Sequence, residues 1–284
     1  MSYTQPLSVF HPGLLVFILD RSFSMEEGNK SHQCANAVNE CLRELILRCS
    51  TTDADGEPII RNRCEVVLLG YGQDVVNVCE ELVPGKTIFS IEDLTTSYKE
   101  IQKRKAVVSL GEGETVEVED EFPIWLQAMA SGGTPMGEAF AKAYEIASRW
   151  VKDHPESFPP ILINITDGEP NNQTLARENA LKFSSVNTSD GAALIFNVHI
   201  TTSHAAPAIL PSSNTELPPS DRNAHFLFEI SSPLPELMLS AAQNLGCKVK
   251  GGSRALAYNA DSDTLVKLLN IGSAPTSAKK VLAE

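Results

Sequence analysis

The 284-residue chain has no stretch that would carry it into a membrane or out of a cell. No run approaches the ~18 apolar residues of a spanning helix. Residues 1–13 hold neither the basic segment nor the apolar core of a secretory leader. The expectation is a cytoplasmic protein. Positive charge is also scarce: 23 Lys and Arg stand against 36 Asp and Glu, a net charge of −13. Nucleic acid and anionic membranes are therefore excluded as expected partners, because phosphate binding is driven by positive charge. The one basic cluster, Lys103, Arg104 and Lys105, sits among acids and reads as a solvated face. The six cysteines include no CxxC pair, which excludes a zinc ribbon or a thioredoxin-type centre. They read as small buried hydrophobes in a reducing compartment. No P-loop, no GxSxG elbow and no HExxH helix occurs, and no internal repeat is visible.

What the chain does have is a set of short, wholly apolar runs that end in oxygen-bearing side chains. Residues 14–19 carry no polar alternation, as expected for a central parallel strand covered on both faces. Asp20, Ser22 and Ser24 leave its carboxyl end at a spacing of two. In open α/β sheets, ligand sites lie at the carboxyl ends of the strands. Two later stretches look built to meet this one. Residues 131–140, SGGTPMGEAF, place Thr134 between two glycines and a proline suited to the first turn of a helix. Residues 161–172, ILINITDGEPNN, form a second apolar run ending in Asp167.

Taken together, Asp20-x-Ser22-x-Ser24 after a first strand, Thr134 in a Gly-rich loop and Asp167 after a later strand resemble the metal-ion-dependent adhesion site of the von Willebrand factor A family. The likeness covers roughly residues 12–272. A plain turn or cap would explain any one segment, but not all three in order. The resemblance implies an α/β, Rossmann-like fold with a mostly parallel central sheet and helices on both faces. It implies a tail at 1–12, a domain over 13–272 with insertions at about 80–121 and 202–225, and a tail at 273–284. It also implies Mg²⁺ or Mn²⁺ held directly by the Ser22, Ser24 and Thr134 hydroxyls, with Asp20 and Asp167 acting largely through water. Oxygen-only donors favour such hard cations over zinc. A neutral inner shell leaves the ion its charge and one open position, a socket for a partner's Asp or Glu. The motif looks most like the stand-alone bacterial cytoplasmic group that includes tellurium-resistance-associated members. That implies a non-catalytic protein-binding module, a scaffold or regulator in a stress or defence pathway. A kinase, a phosphatase or an AAA+ ATPase would be its partner. The rival expectations are a binding subunit of an AAA+ ATPase, a metal-dependent hydrolase, and a self-assembling protein whose acidic hairpin fills a neighbour's socket.

Around the site, residues 34–49 recur at helical spacing, and residues 64–72 form a strand with an antiparallel return at 75–79. Two strands at 106–110 and 115–118 make a hairpin rich in Glu. Residues 202–223 read as a long loop, 225–230 as an edge strand, and 262–270 as a last helix capped by Ser262. Arg21 reads as a surface residue, and Phe23 as either a rim contact or a packed side chain. His199 and His204 sit at the end of a fifth strand and, alone, read as polar residues rather than as ligands or bases.

Overall fold

The apolar runs become the middle of one sheet in a computed structural model, which describes residues 3–53, 55–111, 114–202 and 205–260 together with Thr264 and Lys267. His204, Glu112, the tail from 273 and, apart from those two residues, the expected last helix lie outside the described residues. β1 (Gly13–Asp20) is buried at every position. A 3-10 turn, Phe23–Asn29, leads into α1 (Lys30–Cys49), whose buried side carries Cys34, Val38, Cys41, Leu42, Leu45 and Cys49 at the helical period. β2 (Ser50–Thr52) and β3 (Pro58–Ile60) pair where the sequence suggests only a polar loop. The Asp53 carboxylate closes their turn by accepting from the backbone of Asp55 and Glu57. β4 (Cys64–Tyr71) returns as β5 (Val75–Asn77), antiparallel to it.

The stretch from residue 80, expected to lie outside the core, divides in two. α2 (Val78–Leu82), β6 (Phe89–Ser90) and α3 (Ile91–Thr96) belong to the body: β6 pairs with β4, and Phe89, Ile91 and Leu94 are fully buried. Ser90 and Asp93 form a reciprocal capping box that starts α3. The arm proper is β7 (Glu100–Gly111) with β8 (Glu114–Ile124), longer at both ends than the short strands expected. Its base is clamped to α1. Phe122 is buried under the Arg104 guanidinium, 3.6 Å from the ring centre; Arg104 pairs with Glu40 at 2.8 Å, and Asp120 with Arg43 at 2.6 Å. Glu117 and Glu119 face Lys105 and Lys103 across the strands in solvent.

α4 (Met136–Asp153), β9 (Ile161–Thr166), α5 (Gln173–Ser185) and β10 (Leu194–His199) follow. The expected loop at 202–223 carries short pieces of regular structure among its described residues. It holds β11 (Ala208–Ile209), a buried Leu210 and a 3-10 turn at Asn214–Glu216 with its own capping box. Residues 225–230 are not an edge strand but the body of α6 (Arg222–Ile230). Asp221 starts this helix by accepting from the Ala224 backbone, and Arg177 covers Phe226. Apolar residues wrap most of its circumference, which hides the helical period. α7 (Glu236–Asn244) and β12 (Leu256–Tyr258) complete the chain order.

The sheet runs β11-β12-β10-β9-β1-β4-β5, with β6 also on β4. β12, β10, β9, β1 and β4 are parallel; the antiparallel strands lie at the margins. Alternate residues feed two cores. Leu15, Phe17 and Leu19 join the layer of α1 and α7, while Leu14, Val16 and Ile18 join that of α4, α5 and α6. The fold is α/β, with a mostly parallel central sheet and helices on both faces. It agrees with the architecture implied by the resemblance, down to the antiparallel edge strand after β4.

One polar chain runs through the second core. Asn164, fully buried in β9, accepts from the Tyr71 hydroxyl at 3.0 Å and donates to Asn197 at 2.9 Å. Asn197 donates in turn to Ser231 at 2.9 Å. Burial drives the Tyr71 hydroxyl well above its ordinary pKa, so it stays a donor. Removing Asn164 strands two buried groups. Asn164→Ala is expected to cost about 3 kcal/mol in urea unfolding. Glu117→Ala, on the exposed arm, is expected to stay within about 0.5 kcal/mol. Equal losses would show that the chain of bonds contributes nothing specific.

Candidate metal site

β1 and β9 are neighbouring parallel strands, with Leu19 opposite Ile165, so their loops leave the sheet side by side. Asp20, 2 % exposed, accepts from the Ser22 backbone at 2.8 Å and from the Thr166 hydroxyl at 2.6 Å. Burial pushes its carboxyl up to about 6; the Ser22 and Thr166 bonds pull it down, and the Asp167 charge adds to the rise. The Ser22 and Ser24 hydroxyl oxygens are 3.0 Å apart, and Ser24 donates to Asp167 Oδ1 at 2.8 Å. The Lys30 ammonium lies 2.5 Å from Asp167 Oδ2. Of the five expected site residues, Asp20, Ser22, Ser24 and Asp167 thus stand in one network.

Thr134 is brought to the same edge by its loop. Ser131 N–H donates to the Arg21 carbonyl at 2.7 Å, and Phe23 N–H to the Gly132 carbonyl at 3.1 Å. Thr134 N–H donates to the Asn171 side chain at 2.9 Å, while Asn171 N–H returns a bond to the Thr134 carbonyl at 3.0 Å. Gly132 has φ +76°, and a Cβ there would lie 2.4 Å from the Gln73 nitrogen, so the junction requires glycine. Pro135 stands one position before the first helical residue rather than at it.

One side chain differs from expectation. Arg21 is buried, with its guanidinium packed where a Cβ on Gly70 would stand. Burial lowers its pKa, against an opposing pull from Glu81, and its Nη2 has no hydrogen-bond partner among the described residues. It is therefore an internal residue, not a surface one. Phe23 is 68 % exposed beside Ser24, which places it on the rim. His199 closes β10, at the strand end where it is expected. It is buried and stacked on Tyr258 at 5.3 Å, and burial lowers its pKa, favouring the neutral ring.

Thr166, Asn171 and Lys30 escape sequence reasoning. Thr166 and Asn171 flank Asp167 within the quoted motif, so proximity was the only signal for them. Lys30 had none.

The donor chemistry suits a hard divalent cation. All donors are oxygen, and the 3.0 Å between the two serine hydroxyls matches the edge between neighbouring ligands of an octahedral ion with bonds of about 2.1 Å. Among the described residues no three His, Cys, Asp or Glu side chains group to hold a metal. Such an ion would depend on the hydroxyls. No helix among the described residues is long and apolar enough to cross a membrane.

No protein-family model matches the chain, and no curated protein sequence does. Solved structures do. The chain is similar to proximal thread matrix protein 1 from the mussel byssus, at 11 % identity and a TM-score of 0.48, over 91 % of this chain and 46 % of that one. It is similar to the manganese-loaded TRAP protein of Plasmodium vivax, at 15 % identity and 0.44, over 91 % of this chain and 72 % of that one. It is also similar to the pilus adhesin SpaC of Lactobacillus rhamnosus GG, at 11 % and 0.47, over 93 % of this chain and 31 % of that one. The chain spans less than half of the mussel protein and about a third of the adhesin. The fold assignment rests on the strand order itself.

The raised Asp20 carboxyl has a consequence for stability. Folded, it holds its proton to about pH 6; its ordinary value is 3.8. Between these values the folded state binds more protons than the unfolded one, so stability falls as pH rises through that window. At full ionisation the penalty is roughly 3 kcal/mol. In the presence of a chelator, Asp20→Asn is expected to raise the unfolding midpoint near pH 7 and to flatten its dependence between about pH 4 and 6. A lower midpoint in the variant would mean that the lost acceptor outweighs the relieved charge.

Proposed function

We propose that the chain is a non-catalytic, divalent-metal-dependent protein-binding module. Asp20, Ser22, Ser24, Thr134 and Asp167 would hold Mg²⁺ or Mn²⁺, and a partner's Asp or Glu would complete the shell. The observation that carries this reading is the continuous run of oxygens Ser22–Ser24–Asp167, with Asp20 buried behind it. When bound, the ion supplies a concentrated positive charge for a carboxylate. The chain's own groups orient its ligands. Asp20 fixes the Ser22 turn, Asp167 fixes the Ser24 hydroxyl, and Asn171 fixes the Thr134 loop.

The same bonds favour binding over hydrolysis. Asp20 accepts at both carboxylate oxygens, and Asp167 meets Ser24 at one and Lys30 at the other. Both carboxylates are thus engaged in orienting neighbouring groups. Phe23 on the rim offers the partner an apolar contact next to the charged one. The biological setting belongs to the same proposal and rests on the motif resemblance. It is a cytoplasmic scaffold or regulator of a bacterial stress or defence response, akin to tellurium-resistance-associated proteins, engaging a kinase, phosphatase or AAA+ ATPase.

The test is affinity capture from host lysate with wild type and Ser22→Ala/Ser24→Ala, each in Mg²⁺ and in chelator, paired with Mn²⁺ titration. A partner is expected only with wild type in Mg²⁺. The double variant and Thr134→Ala are expected to bind Mn²⁺ at least tenfold more weakly while keeping the fold by circular dichroism. Identical captures in every lane, or unfolding of the variants, would refute the reading.

A further inference from the structure

Lys30 sits where helix physics disfavours a cation. It is the first residue of α1, next to the positive end of the helix dipole, and the first turn contains no acid. It is only 5 % exposed, and lysine is almost never buried unless paired. The chain is bent to place it there. Gly28 and Asn29 have φ of +62° and +63°, two left-handed residues in succession, and a Cβ on Gly28 would lie 2.7 Å from the Thr202 methyl. The turn between the serine motif and α1 therefore delivers one ammonium to one carboxylate, that of Asp167, at 2.5 Å. Its second neighbour, Glu27, is exposed and 3.6 Å away.

We propose that Lys30 is a resident cation of the metal site. Its ammonium neutralises Asp167 in the metal-free protein and competes with the divalent ion for that carboxylate, so the site binds its ion more weakly than its oxygens alone would. The inference rests on the reading of the site given above. It adds a residue that sets the metal affinity. Two carboxylates beside one ammonium leave one net negative charge to attract the ion; without the ammonium there are two. Removing Lys30 raises that attraction and also leaves Asp167 buried and unpaired, which destabilises the metal-free fold.

The experiment is Mn²⁺ titration, followed by the spin resonance of the free ion, of wild type, Lys30→Met, Lys30→Gln, Lys30→Arg and Ser22→Ala/Ser24→Ala. Thermal unfolding is measured in chelator and in Mn²⁺. Lys30→Met is expected to bind Mn²⁺ about tenfold more tightly than wild type, to melt lower in chelator and to recover in Mn²⁺. Lys30→Arg is expected to keep the wild-type affinity. If Lys30→Met does not fold, Lys30→Gln, which keeps a donor to Asp167, carries the same expectation. Unchanged or weaker binding in a folded neutral variant, with the serine variant inactive, overturns the role of Lys30 and leaves the site standing. Undiminished binding in the serine variant overturns both, because the ion then lies elsewhere.

Discussion

Everything at the carboxyl edge of the sheet follows from one costly juxtaposition: two carboxylates, Asp20 and Asp167, withdrawn from water at the ends of adjacent parallel strands. Desolvation and the neighbouring Asp167 charge both oppose ionisation of Asp20. The chain meets this with hydrogen bonds from the Ser22 backbone and the Thr166 hydroxyl to Asp20 and from the Ser24 hydroxyl to Asp167, and with the Lys30–Asp167 ion pair. These offset only part of the cost, since the Asp20 carboxyl still stands near 6. The remainder is carried by the two cores on either side of β1, whose burial does not depend on the site. A site that opposes its own ionisation is one in which a bound cation gains most.

The parallel topology explains why so many loops reach this one edge. Parallel neighbours are joined by crossovers rather than by tight turns, so the carboxyl ends of β1, β4, β9 and β10 all face the same way. Close approach then demands small residues. A Cβ on Gly72 would lie 2.6 Å from the Ser131 carbonyl, and one on Gly70 would displace the Arg21 side chain. The glycines of LLGYG and SGGTP belong to one interlocked set. They let the backbone of the Thr134 loop rest directly on that of the serine turn.

The central strands were legible because burial on both faces removes alternation, leaving bare apolar runs that few other contexts produce. The candidate site residues stand out in the sequence because they follow such runs or sit beside a glycine pair. What escaped was decided by tertiary contact. Residues 225–230 have apolar side chains on most of a helix surface, so period alone cannot separate helix from strand, and the Asp221 cap is a single residue. Residues 202–223 have a loop's composition, yet Leu210 is buried and β11 pairs with β12. Arg21 and Lys30 carry charge, and sequence reasoning puts charge on the surface. One is packed against Gly70 and the other is held by Asp167, partners that only the fold brings near.

On the proposed function, a chain of net charge −13 must reverse its own field locally to receive an acidic partner. At distances beyond about 8 Å in physiological salt, the overall negative charge is largely screened, and contact chemistry decides. There the sum is short: Asp20 and Asp167 contribute two negative charges, Lys30 one positive, a divalent ion two more. The loaded site carries one net positive charge, where the carboxylates and ion alone would carry none. On that reading, the lysine proposed to weaken the hold on the ion is also what leaves the loaded socket attractive to a carboxylate. Its place at the unfavourable end of a helix makes physical sense as a property of the site rather than of α1.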